Sequence, residues 1–116
     1  MSGKYIWLFG ENRGRTTNNN SYYFWKHVVN FRDEVAAYFI MEFSFSNLGK
    51  YLSMNRRERR FVLWRNSFGH FRLFHRADMF FVTLSYRDVA PERLFWKNLN
   101  SIITAPLIYL GHGAQG

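Results

Sequence analysis

Five short apolar runs punctuate the chain, at residues 5–9, 35–42, 61–64, 79–84 and 105–110, with stretches of helical spacing between them. Each run is rich in β-branched and aromatic residues and is too short for a core helix, so each reads as a strand. Asn19 or Asn20 is placed to cap a helix from Ser21 to about Arg32, in which Tyr22, Trp25, Val28 and Val29 share one face. A short helix is expected over 46–55 with Ser46 as its cap, then one from Ser67 to Arg76 offering Phe68, Phe71, Leu73 and Phe74 to a core. A last helix is expected from Pro91 to about Asn98, with the proline in its first turn. Strand and helix alternate, and no strand pair is joined by a two-residue hairpin turn. That pattern predicts an α/β, Rossmann-like parallel sheet of about five strands with helices on both faces. No internal repeat is present, and residues 1–116 read as a single domain.

Thirteen Phe, seven Tyr and four Trp exceed what so small a core needs, so some should be exposed or face a further domain. Sixteen Lys and Arg against eight acidic residues leave a net charge of +8. Such a surface attracts nucleic acid, anionic headgroups or phosphate-rich polymers, and charge alone does not choose among them. The absence of cysteine excludes disulfides and thiolate metal sites, and the four histidines lack metal-ligand spacing, so neither metal nor cofactor is expected. No run reaches the ~20 apolar residues of a membrane span. The N-terminus lacks the apolar core of a signal peptide. A cytoplasmic chain is expected, with a basic surface suited to lying against an anionic membrane.

Past the last apolar run stands Gly111-His112-Gly113. A histidine between glycines at the carboxyl end of a buried strand is where open α/β sheets place their chemistry. A neutral imidazole there can take a hydroxyl proton at pH 7; the competing reading is a loop histidine with no role. Residues 111–116 also match Gly-x-Gly-x-x-Gly, but a dinucleotide site needs this after the first strand, opening a helix, with a later acidic residue. Arg13 and Arg15, with the amides that open the following helix, could hold a phosphate; the plainer reading is a solvated polar loop. Arg56 to Arg60 reads as a solvated basic face, His70 as structural and His27 as a helix-surface residue.

Several stretches, in order, resemble the CDP-glycerol glycerophosphotransferases, the bacterial teichoic acid primases and polymerases. They are Tyr5-Ile-Trp-Leu-Phe-Gly-Glu11, Asn20-Ser-Tyr22 with Phe24-Trp-Lys26, Trp64-Arg-Asn-Ser-Phe-Gly-His-Phe71, Arg76-Ala-Asp-Met-Phe-Phe-Val82 and Tyr109-Leu-Gly-His-Gly113. The chain departs from the family pattern at Asn19, Ser21, Gly111 and the segment after Gly113, which bears on specificity more than on fold. The resemblance implies a two-domain GT-B architecture of which this chain is the N-terminal, acceptor-side half. It implies that His112 is the general base for a polyol-phosphate acceptor whose hydroxyl attacks the β-phosphate of CDP-glycerol and expels CMP. Arg13, Arg15, Asn20, Gly111 and Gly113 would contact acceptor or phosphate. Most contacts to the CDP-polyol donor would come from a C-terminal domain, so this chain alone is expected to be inactive. A peripheral place on the inner face of the cell membrane would suit such an enzyme. Two alternatives stand beside this reading. One is a basic binding module for nucleic acid or an anionic polymer or membrane, although the aromatics fall mostly in expected core positions and no nucleic-acid motif is present. The other is a non-catalytic remnant of the family.

Overall fold

The computed structural model describes residues 5–11, 20–82, 88–91 and 106–109. In chain order the elements are β1 (Tyr5–Phe9), α1 (Asn20–Phe31), β2 (Val35–Met41), α2 (Phe45–Ser53), α3 (Arg56–Arg60), β3 (Val62–Trp64), α4 (Phe68–Arg76), β4 (Met79–Val82) and β5 (Leu107–Tyr109). The five strands form one sheet in the order β3-β2-β1-β4-β5, and every neighbouring pair is parallel. This is the expected α/β architecture. The first strand is central, and the chain builds outward from it to one side, then returns to build the other.

Alternation along the strands divides the core into two layers, because successive side chains point to opposite faces. Phe9, Ala37, Phe39, Met41 and Phe81 face α1, where they meet Tyr22, Trp25, Val28 and Val29. Leu8, Ile40, Phe80 and Val82 face the other way and pack with Phe74 of α4 and with Val89 and Ala90. Helices therefore cover both faces. β2 shows the consequence most clearly: six of its seven residues are buried, as a strand covered on both sides requires.

The α1 layer is built of rings. Phe9 stacks on Phe81 with centroids 4.5 Å apart, and Tyr22 and Trp25 each lie within 5.4 Å of Phe39. Trp25 is fully buried, and its indole Nε1 donates to the Ala37 carbonyl at 2.7 Å. Trp25→Phe removes that donor and part of the ring volume, and is expected to cost about 2 kcal/mol in urea denaturation; a loss under about 0.5 kcal/mol would show that the bond contributes nothing net.

The middle of the chain differs from expectation in two places. α2 begins at Phe45, and its cap is Ser44, whose Oγ accepts from the Asn47 amide at 3.1 Å, rather than Ser46. The basic run is a short helix, α3, held by a capping box: Asn55 accepts from the Glu58 amide at 2.7 Å, and Glu58 accepts from the Asn55 amide at 3.1 Å. Glu58 is buried, and Asn30 of α1 donates to it at 2.8 Å. The helix expected over 91–98 lies outside the described residues, apart from Pro91.

The surplus of aromatics does reach the surface. Phe45, Phe68, Phe31 and Phe43 are 65–92% exposed. Among the described residues, no helix is long and apolar enough to cross a membrane.

Candidate functional site

In a sheet of this order the crevice lies at the carboxyl edge between β1 and β4, where the chain's winding direction reverses. Three pieces of chain meet there. Gly10 follows β1, and its amide donates to Phe81 of β4 at 3.0 Å. The segment 88–91 follows β4 and crosses so close to Gly10 that a Cβ there would lie 2.2 Å from the Asp88 carbonyl oxygen. The turn from β3 into α4 supplies the third piece, through Asn66 and Ser67.

Buried polar groups hold these pieces together. Glu11 is fully buried, and its Oε2 accepts from the Tyr22 amide in the first turn of α1 at 3.2 Å. A carboxylate suits that place, because the first turn of a helix presents unpaired N–H groups and the positive end of its dipole. Asp88, whose backbone lies against Gly10, is fully buried too. Ser21 is buried too, and its Oγ has no hydrogen-bond partner among the described residues.

His70 ties two of the loops together. Asn66 sits in the left-handed region at φ 66°, which asparagine tolerates, and this aims its amide at His70 Nδ1, 2.9 Å away. Since Nδ1 accepts, the ring proton is on Nε2, which donates to the Val89 carbonyl at 2.6 Å. Burial pushes the imidazole down to about 4; the Val89 carbonyl works the other way, and the Arg65 charge adds to the lowering. His70 is thus neutral at pH 7 with both nitrogens engaged. It positions the loops and is not available as a base, as the sequence reading expected.

Beside this bridge a cleft of about 530 Å³ opens at the start of α4, lined by Asn66, Ser67, Phe68, Phe71, Arg72 and Pro91. Its size suits a small ligand. Its rim combines the Arg72 guanidinium with the exposed ring of Phe68 and the half-buried ring of Phe71, so it can accommodate a group that is part anionic and part apolar.

Of the residues expected to act, Asn20 is the first residue of α1, at this same edge. Arg13, Arg15, Gly111, His112 and Gly113 lie outside the described residues. The segments that carry them join described elements here. Residues 12–19 run between Glu11 and Asn20, and the Gly-His-Gly segment follows β5, whose Tyr109 pairs with Val82 of β4. Asp88 and Arg72 were not singled out from the sequence, and Glu11 entered there as the end of the Tyr5–Glu11 stretch without a role of its own. Only Glu11 left a signal there, as an acidic residue directly after a strand and its terminal glycine. Among the described residues, no group of three or more His, Asp or Glu side chains could hold a metal ion.

No family model matches the chain, and neither the curated proteins nor the solved structures contain a match.

Proposed function

We propose that the chain is the acceptor-side domain of a GT-B transferase that moves a polyol phosphate from a CDP-polyol such as CDP-glycerol onto a polyol-phosphate acceptor of a cell-surface polymer. The observation that carries this reading is the sheet: five parallel strands in the order β3-β2-β1-β4-β5, with the segment bearing His112 following the strand beside β4. The ordered run of motifs along the sequence supplies the chemistry.

In this mechanism the acceptor hydroxyl gives its proton to the His112 imidazole. Its oxygen attacks the β-phosphorus of the CDP-polyol, a new phosphodiester forms, and CMP leaves. The protein contributes position and positive charge more than covalent chemistry. Arg13, Arg15 and the amides at the start of α1 would hold acceptor phosphate, and Asn20, Gly111 and Gly113 would let it approach closely. Attachment to an anionic membrane belongs to the same proposal. It is supported by the net charge of +8 and by the exposure of Phe43, Phe45 and Leu52. The alternative of a basic binding module for nucleic acid or an anionic polymer draws on the same net charge and on the exposed rings of Phe31, Phe43, Phe45 and Phe68, and a titration with single-stranded DNA separates the two.

The test is CMP release from CDP-glycerol in the presence of poly(glycerol phosphate), using the protein as purified from its source cell. His112→Ala is expected to lower kcat by about 10²–10⁴-fold with little change in KM. Turnover unchanged by the substitution would remove His112 from the chemistry. The 116-residue chain by itself is expected to bind the acceptor polymer and release no CMP.

A further inference from the structure

The amino edge of the sheet, opposite the crevice, carries a second concavity. It encloses about 470 Å³ and is lined by Asp33, Arg56, Arg57, Arg60 and Phe61. Asp33 precedes β2, and Phe61 precedes β3. At the usual rise per residue β2 spans roughly 20 Å from Val35 to Met41, and Phe61 stands roughly 10 Å from Trp64, so the concavity lies toward the amino ends of both strands.

The basic run is not uniformly solvated. Its helix is fixed by the Asn55–Glu58 capping box and by Asn30, so the turn presents its arginines in set directions. Arg59 points back along the chain and donates to the Met54 carbonyl at 2.6 Å. Arg57 is pinned at the concavity, with Nε donating to the Val29 carbonyl at 2.5 Å and Nη2 paired with Asp33. Arg56 and Arg60 are one helical turn apart on the same side, exposed, with no ion pair to any described residue. Three guanidinium groups and one carboxylate thus line the concavity together with Phe61, and these side chains leave a local charge of about +2. Guanidinium forks match phosphate oxygens in pairs, and one already held in place loses less freedom on binding.

We propose that this concavity is a binding site for a ligand carrying two phosphate charges, either a phosphomonoester or two neighbouring phosphodiesters. Arg56 and Arg60 grip the oxygens, and Arg57 forms the fixed wall. The site is separate from the crevice at the carboxyl edge and does not depend on the function proposed for it. The ligand's phosphates can come from a soluble polyanion or from lipid headgroups.

Inorganic pyrophosphate titrated into the full chain by calorimetry is the first probe. Binding is expected to weaken as salt rises, and Arg56→Ala/Arg60→Ala is expected to reduce affinity at least about tenfold. Both side chains are exposed, so the double variant keeps its far-UV spectrum; Arg56→Gln/Arg60→Gln repeats the test with longer side chains retained. Arg76→Ala, a charge loss outside the concavity, is expected to leave affinity within about twofold. No pyrophosphate binding, or equal affinity in wild type and both double variants, overturns the proposal. His112→Ala leaves this titration unchanged, so failure here is distinct from failure of the transferase reading. The source follows from competition between polyphosphate and vesicles containing phosphatidylserine. Polyphosphate that displaces the chain from vesicles only when Arg56 and Arg60 are present supports a soluble polyanion. Vesicle binding that needs both arginines and resists polyphosphate supports a headgroup.

Discussion

His70→Ala is expected to destabilise the protein by about 4 kcal/mol at pH 7, the largest loss from any single polar side chain described. The ring is fully buried. Its removal leaves the Asn66 amide and the Val89 carbonyl unpaired, each costing about 1–3 kcal/mol, and opens a cavity the size of an imidazole. His70→Asn keeps an acceptor near the Nδ1 position and should recover part of the loss. The same residue sets a pH dependence. Its folded value of about 4 lies below the ordinary 6.5, so between these two values the unfolded chain binds the proton and the folded chain does not. Stability from this group is therefore full above pH 6.5 and falls as pH drops toward about 4, by about 3 kcal/mol in total. Urea midpoints at pH 7, 5.5 and 4.5, in wild type and His70→Asn, read both effects. A wild-type loss between pH 7 and 4.5 no larger than that of His70→Asn would mean the imidazole is not the sensing group.

Gly10→Ala is expected to cost at least about 3 kcal/mol, although it adds one methyl group. The new Cβ would lie 2.2 Å from the Asp88 oxygen and 2.7 Å from its carbonyl carbon. These are backbone atoms and cannot rotate away, so the whole 88–91 segment must move. That segment includes the Val89 carbonyl that accepts from His70. The two substitutions act on one contact, and the double variant should lose less than the sum of the singles, by about 1 kcal/mol or more. Denaturation of the four proteins in the cycle gives the coupling directly. Additivity within about 0.3 kcal/mol would show that the segment does not link Gly10 to His70.

The strands were legible because β2 and β4 must be apolar on both faces, which leaves unbroken runs such as Val35 to Met41. The helix faces of α1 were legible for the same reason, since Tyr22, Trp25, Val28 and Val29 all reach the core. α3 was missed because five residues with four arginines have no apolar period. Its stability comes from Asn55 and Glu58, an Asn-x-x-Glu signal present in the sequence but overshadowed by the charge around it. Ser44 rather than Ser46 caps α2 because Asn47 sits three residues after it and also ties back to the Glu42 carbonyl at 2.7 Å. The buried polar set was legible only in part. Glu11 and Asp88 are buried where segment 88–91 packs against Gly10 from far along the sequence, and local pattern carries little trace of that contact. His70 was readable as structural from its place after a capping serine, but its partner Val89, nineteen residues on, was not. The candidate base rests on Gly111-His112-Gly113, outside the described residues, so its part in the chemistry stands on motif order and on the strand that leads to it.

The central place of β1 has a consequence for how the chain is made. Its β2 side can pair as soon as residue 41 has emerged, but its β4 side stays bare until residue 82, where Phe80 and Phe81 meet Leu8 and Phe9. At about 5–20 residues per second, that apolar edge stays uncovered for a further interval of about 2–8 s after β2 can pair. A nascent chain of this design therefore needs either a chaperone's protection during that interval or a delay in the collapse of its first half.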